Sequence, residues 1–313
     1  MKRIVFQKWL VAIRPFSLPA STMPVLFGTV AAVVVGHATF NAPLFLLAML
    51  GMVLLHSGAN MLSDVYDYRK GLDKVPTPVS GAIVRGLITP DQGRKVSILL
   101  LVLGSLIGLM LVVLVGRPIF WIGAVGVLIG VMYTGGPVAL KYHGLGDLAV
   151  FLDFGVLGTL GAWTVQTGSM SWIPVIWSVP ISLLVVGILH ANNWRDIAGD
   201  TDVKIVTTAS TLGDHGSLLY YGIMIFGPFV LVAGLVGLGF CSDTPYAMPV
   251  NFVLTGLAFP MAVIRWRRAL ARRTPKQPLD FVALDGATAQ LNLVFGLLCT
   301  VALLVTKVRT LFI

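Results

Sequence analysis

Glutamate is absent from this chain: all thirteen acidic residues are aspartates, so any carboxylate site must be built from Asp. Cysteine is scarce. Cys241 and Cys299 are far apart and in no paired motif, which excludes a disulfide framework and a cysteine-rich metal site, and both read as small apolar fillers. Charge of either sign is also scarce. Only 11% of the 313 residues are charged and 57% are hydrophobic, with a mean hydropathy of +0.90. That composition excludes a soluble globular domain and points to an integral membrane protein. The net charge of +9 does not point to nucleic acid, because the basic residues fall between apolar runs.

What is abundant is long apolar sequence. Stretches near 16–37, 42–63, 96–115, 118–134, 147–167, 173–192, 217–239, 247–265 and 286–306 are each long enough to cross a bilayer as a helix. They lack the period-two alternation of a barrel strand, so the expectation is an all-α, polytopic bundle of about nine transmembrane helices. Such a bundle packs as one unit, so residues 1–313 read as a single domain, with two halves of about 1–140 and 141–313. The N-terminus is basic and then apolar like a signal peptide, but the apolar run continues to about Val35 without a convincing cleavage site, and reads as a retained first span. With nine spans, 19 of the 22 basic residues fall on one side, leaving Arg117, Lys307 and Arg309 on the other. The excess of positive charge marks the cytoplasmic side, so the N-terminus is expected there and the C-terminus outside, with the protein in the inner (cytoplasmic) membrane.

Two polar clusters interrupt this pattern. In "SGANMLSDVYDYRKGLD", Asn60, Asp64 and Asp67 are spaced i, i+4, i+7 and project from one face of a helix. In "HANNWRDIAGDTDVK", Asn192, Asp196 and Asp200 are spaced i, i+4, i+8, with Asn193 in reach of the same face. Four spans separate the clusters, so both emerge at the cytoplasmic ends of parallel helices and can face each other across a cavity. Carboxylates crowded at a membrane boundary repel one another unless cations or water neutralise them. One such cluster is more often a solvated helix end; two of the same make-up suit hard divalent cations, Mg²⁺ in particular, whose shell is completed by water and phosphate oxygens. Arg69, Lys70, Arg85, Lys141, Arg195 and Lys204 lie on the same side and could offset a diphosphate's charge. Surrounding lipid suggests that the diphosphate carries a long hydrocarbon tail. A transporter would also suit intramembrane polar groups and repeated halves, but its site tends to the midplane, whereas these clusters stand at helix ends.

These motifs resemble those of the UbiA superfamily of intramembrane aromatic prenyltransferases. Asn60, Asp64 and Asp67 match its first motif, Gly71-Leu72-Asp73 its extension, and Asn192, Arg195, Asp196 and Asp200 its second. Within the superfamily, "WLVAIRPFSLPASTMPVLFG", "SGAIVRGLITP", "YTGGPVALKYHGLGDL" and "ATAQLNLVFGLL" are most similar to the 1,4-dihydroxy-2-naphthoate polyprenyltransferases of menaquinone synthesis. The chain departs from the family in "DTDVKIVTTASTLG", where Gly-Lys-x-Thr-Leu is usual, and at Asp153, where an apolar or aromatic residue is usual. Asp153 reads either as a substrate contact or as a hydrogen-bonding partner for a neighbouring helix.

The resemblance implies a helical bundle around a central cavity roofed by two cytoplasmic loops. It implies two Mg²⁺ ions, one on Asn60, Asp64 and Asp67 and one on Asp196 and Asp200, holding a polyprenyl diphosphate for transfer to an aromatic acceptor. It further implies binding roles for Arg14, Asp73, Arg85, Tyr133, Lys141, Asp147, Asn192, Arg195 and Lys204. For Arg14, positive-inside anchoring competes; for Asp147, helix capping; for Asp73, organisation of its loop. His56 and His190 read as helix-packing partners ahead of proton carriers. The arginines from Arg265 to Arg273 read as lipid-headgroup contacts. The favoured acceptor is dihydroxynaphthoate, with loss of CO₂; hydroxybenzoate, homogentisate, a haem-type ring or a glycerol lipid would keep the same fold.

Overall fold

The computed structural model describes residues 2–72, 81–135, 138–271 and 284–311. Within them lie twelve α-helices and no β-strand, the one β-type contact being an isolated bridge between His143 and Val206. The helices are α1 (Lys2–Ile13), α2 (Pro19–Val34), α3 (Ala42–Lys70), α4 (Pro90–Val115), α5 (Arg117–Thr134), α6 (Gly146–Val150), α7 (Gly158–Thr167), α8 (Trp172–Arg195), α9 (Ile197–Asp202), α10 (Thr208–Cys241), α11 (Phe259–Leu270) and α12 (Leu284–Leu311). The chain is a multi-pass membrane protein. Seven helical stretches are long and apolar enough to cross a bilayer, or eight if Gln7–Ser17 and Pro19–Val34, bent by 58°, form one span.

Of the nine expected spans, the one at 247–265 is not among these stretches. The segment at 247–265 forms a 3₁₀ stretch, Val250–Ala258, that runs into the short α11. The bend near the N-terminus has a local cause: Arg14 sits in the left-handed region at φ 50, and Pro15 and Pro19, both after it, each remove a backbone donor.

Burial separates a protein-facing core from a lipid-facing rim. Phe27, Trp177, Ile181, Leu184, Tyr221, Ile225, Phe252, Leu291 and Phe295 are buried at the centre, where α2, α8, α10 and α12 meet. On α4, Leu99, Val102, Leu106, Leu109 and Val113 are exposed, as are Trp121, Leu128 and Val131 on α5. An apolar face left bare by the protein is what lipid covers, since hydrocarbon solvates leucine as well as a protein core does.

The helix carrying the first motif outgrows the membrane. Twenty-nine residues span about 43 Å at 1.5 Å each, against a hydrocarbon core of about 30 Å. Asn41 caps its start through Leu44 N–H, and Gly71, at φ 74, closes its end with its N–H on the Asp67 and Tyr68 carbonyls. Arg69 and Lys70 in the last turn oppose the negative end of the helix dipole. The last turns thus leave the hydrocarbon as an ordered helix, carrying Asp64 and Asp67.

Candidate active site

The first motif is held against the N-terminal bend and a loop. Asp64 is buried and forms an ion pair with the Arg14 guanidinium. The left-handed turn at Arg14 and the helix spacing of α3 bring them together although fifty residues separate them. One turn earlier, the Asn60 amide donates to Ser17 Oγ at 3.0 Å, so its amide oxygen is the atom that could serve a cation. One turn earlier again, the His56 ring lies between Ser21 Oγ (2.7 Å from Nδ1) and Ser17 Oγ (3.4 Å from Nε2) and packs on Phe154 with ring centroids 4.5 Å apart. His56, Asn60 and Asp64 form one stripe at i, i+4, i+8, tied throughout to the chain between Arg14 and Ser21. Gly81 approaches this stripe from the following loop so closely that a β-carbon there would overlap the Asp64 carboxylate.

Asp67 is clamped from another direction. Lys141 Nζ donates to its Oδ2 at 2.5 Å and to Ser63 Oγ at 2.7 Å, and the Tyr142 hydroxyl donates to its Oδ1 at 2.9 Å. Both donors come from a 3₁₀ turn, Leu140–Tyr142, between α5 and α6. Burial alone would push the Lys141 ammonium toward neutrality, but the Asp67 carboxylate outweighs it and holds its pKa above the ordinary lysine value. Burial, reinforced by Asp67, raises the Tyr142 phenol, so it remains a hydrogen-bond donor. Lys70 Nζ covers the Tyr142 ring, 3.7 Å from its centroid.

The same loop reaches the second motif. Val206 N–H donates to the Tyr142 carbonyl at 3.3 Å, and Gly144 N–H donates to the Val206 carbonyl at 2.8 Å. Ile205 N–H in turn donates to the Asp200 carbonyl at 2.9 Å. Asp67 and Asp200 are therefore linked through one short polar path of Tyr142, Val206 and Ile205, at the same end of the bundle.

The second motif does not lie on one continuous helix. The α-helix ends at Arg195, Asp196 turns the chain with φ −97 and ψ 7, and Asp200 falls on the separate short α9. Successive side chains on a helix point apart, so only this break lets Arg195 grip the adjacent Asp196 with two bonds, Nε to Oδ1 at 2.9 Å and Nη2 to Oδ2 at 2.8 Å. The third arm of Arg195 donates to Asp285 Oδ2 at 3.1 Å, which Asn192 Nδ2 also reaches at 3.4 Å. Asp285, in the first turn of the last helix, was missed in the sequence because it belongs to neither motif; an acid opening an apolar span was its only signal.

Other expected residues separate by location. Tyr133 is within electrostatic reach of Lys141, Asp147, Asp67 and Arg14, which puts these five in one region. Asp147 is buried in the first turn of α6, where a carboxylate opposes the positive end of the helix dipole, although the N-cap itself is Leu145; His190 Nδ1 lies 3.6 Å from one of its oxygens and the Tyr220 hydroxyl is also within its reach. His190 faces the Ser217 carbonyl with its other nitrogen at 3.2 Å. Arg85 and Lys204 are exposed on turns, Lys204 in the left-handed region at φ 58. Asp73 lies outside the described residues. Asp153 falls in a π-helical stretch, Phe151–Leu157, facing Gly126.

The donor set suits a hard divalent cation. It is made of oxygen atoms, and Asp64, Asp67 and Asp196 each already face a positive side chain. Among the described residues no three His, Cys or Asp side chains stand together as a self-sufficient metal site. Mg²⁺ does not need one, because one or two carboxylates suffice when water and phosphate oxygens complete the octahedron.

A family model described as "UbiA prenyltransferase family" matches residues 21–284. A "1,4-dihydroxy-2-naphthoate octaprenyltransferase" of Bacillus subtilis (strain 168) is 31% identical over 95% of this chain and 92% of that protein. The "UbiA prenyltransferase domain-containing protein 1" of Xenopus tropicalis is 29% identical over 92% of this chain and 79% of that protein. Among solved structures, a UbiA homolog from Archaeoglobus fulgidus bound to GPP and Mg²⁺ superimposes with a TM-score of 0.63 at 15% identity, covering 94% of this chain and 99% of that one.

Proposed function

This chain belongs to the UbiA prenyltransferase family and is a membrane prenyltransferase, and from that premise we propose that it transfers a polyprenyl group from a polyprenyl diphosphate to 1,4-dihydroxy-2-naphthoate, with Mg²⁺ and with loss of CO₂, as a step of menaquinone synthesis. The observation that carries the site assignment is the pair of buried carboxylates on one face of α3, each holding a cationic side chain that can exchange partners. The acceptor assignment is supported by the Bacillus relative, which spans nearly the same length.

In this reading Asp64 and Asp67, with Asn60, would hold one divalent ion, and Asp196 and Asp200 the other. Arg14 and Lys141, which pair with two of these carboxylates, would serve the phosphate oxygens of the diphosphate. Bound divalent ions supply neutralisation of the charge that builds on the departing diphosphate. The allylic carbon–oxygen bond breaks with its electron pair going to the diphosphate. The ring carbon bearing the acceptor's carboxylate bonds to the allylic carbon, and the carboxylate leaves as CO₂ with its bonding electrons returning to the ring. Tyr142 and the Tyr142–Val206 backbone link help to keep water from the cation. The active site faces the cytoplasm of the inner membrane, where the basic loops lie, and the whole chain acts as one catalytic unit.

The test is a panel of aromatic acceptors given to the purified protein with Mg²⁺ and a polyprenyl diphosphate, with products identified by mass spectrometry. A decarboxylated prenyl-naphthalenediol is expected from dihydroxynaphthoate. A product that retains its carboxyl group, formed from hydroxybenzoate while dihydroxynaphthoate is ignored, would overturn the acceptor assignment.

A further inference from the structure

We propose that Asp285 is a positioning residue for the second metal site: by taking over the charge of Arg195, it lets Asp196 leave that arginine and hold a divalent cation. The inference rests on the metal role given above to Asp196. Arg195 is gripped from two sides, by the bidentate Asp196 at 2.8–2.9 Å and by Asp285 at 3.1 Å. The two acids differ in exposure. The Asp285 side chain is 6% exposed and that of Arg195 is 8%, whereas that of Asp196 is 44%. The inner pair is therefore fixed inside the protein, and Asp196 stands at its open edge.

A buried guanidinium cannot give up its only carboxylate without a large cost, because it would be left as an uncompensated charge. With Asp285 in place, Arg195 retains a buried partner whichever way Asp196 turns. The charge balance leads to the same result. With acids and bases counted as ionised, Asp196–Arg195–Asp285 carries one net negative charge. That surplus charge attracts a cation. Asp285 also accepts from Asn192 at 3.4 Å and from Gly286 N–H at 2.7 Å, so it fixes the arginine to the start of α12 and orients a second residue of the motif.

The experiment titrates Mn²⁺ into the full-length protein in nanodiscs, at saturating inorganic pyrophosphate, and follows free Mn²⁺ by electron paramagnetic resonance. Asp285→Asn keeps the shape but removes the charge, and it should weaken Mn²⁺ binding about tenfold, the lower end of what a group that orients a metal-holding side chain is worth. Asp285→Glu keeps the charge and should stay within about threefold of wild type. In turnover assays the Mg²⁺ concentration for half-maximal rate should rise in Asp285→Asn, and saturating Mg²⁺ should recover most of kcat. If Asp285→Asn accumulates too poorly to titrate, Asp285→Ser is read in the same way. A variant that loses thermal stability or active fraction but binds Mn²⁺ like wild type overturns the proposal, since a merely structural role would move the first and spare the second. If wild type takes up no Mn²⁺ with pyrophosphate, the metal assignment of Asp196 fails as well; if wild type binds and Asp285→Asn binds equally, only the role of Asp285 fails.

Discussion

Replacing Lys141 with methionine separates two effects that pull in opposite directions. In the structure Lys141 contributes two short bonds, to Asp67 at 2.5 Å and Ser63 at 2.7 Å, with its side chain 17% exposed. Methionine fills similar space without the charge. Removing one partner of a buried ion pair costs about 3 kcal/mol, and here the unpaired Asp67 keeps only Tyr142 and the longer Ser63 contact at 3.4 Å. That carboxylate would then bind a divalent cation more readily, so Mn²⁺ affinity measured without any diphosphate should rise about tenfold, which uses roughly half of that 3 kcal/mol. The diphosphate, meanwhile, loses a charge-assisted bond of about 1.5–3 kcal/mol, so kcat/KM for the polyprenyl diphosphate should fall about 10- to 100-fold.

The folded-state pKa of Lys141 is raised, so its contribution to stability is fully present below the ordinary value of about 10.4 and fades only as pH rises through the higher folded value. The Lys141→Met deficit should therefore be flat between pH 6 and pH 9, about the range accessible to the assay. Unchanged metal affinity together with unchanged KM would falsify the exchange of partners.

Asp64→Ala and Asp196→Ala should each reduce turnover below detection at saturating Mg²⁺, as followed by product mass spectrometry; full turnover in either variant removes that residue from the metal site. Gly81→Ala places a β-carbon on the Asp64 carboxylate, so it should raise the Mg²⁺ requirement or displace Arg14, lowering kcat/KM about tenfold or more, while a serine elsewhere in that loop should not. Tyr142→Phe removes the hydroxyl that donates to Asp67 at 2.9 Å; the expected loss of thermal stability is about 1.5–3 kcal/mol, the range for a hydrogen bond to a charged group, readable by thermal melts of the purified protein.

The helical bundle was legible because a bilayer leaves the backbone few options: long apolar runs must hydrogen-bond within themselves, and hydropathy reports them directly. The segment at 247–265 keeps its apolar sequence but changes its winding to 3₁₀ along Val250–Ala258, as 147–167 does to a π-helix along Phe151–Leu157, and hydropathy carries no information on winding. The first motif was legible for a related reason, since i, i+4, i+7 spacing fixes a common face on a helix that continues unbroken to Lys70. The second motif was legible in its residues but not in its shape, because the turn at Asp196 is stabilised by Arg195 reaching both its neighbour and Asp285, ninety residues away.

By itself, then, the sequence determined that this chain crosses a membrane many times and brings two sets of aspartates to the ends of its helices, since both follow from local spacing and from the cost of bare backbone in lipid. Only the tertiary structure decided which positive group meets which carboxylate. Arg14 with Asp64, Lys141 with Asp67 and Arg195 between Asp196 and Asp285 are pairings set by where loops and helix ends meet in space, and apart from Asp196 no spacing along the chain encodes them.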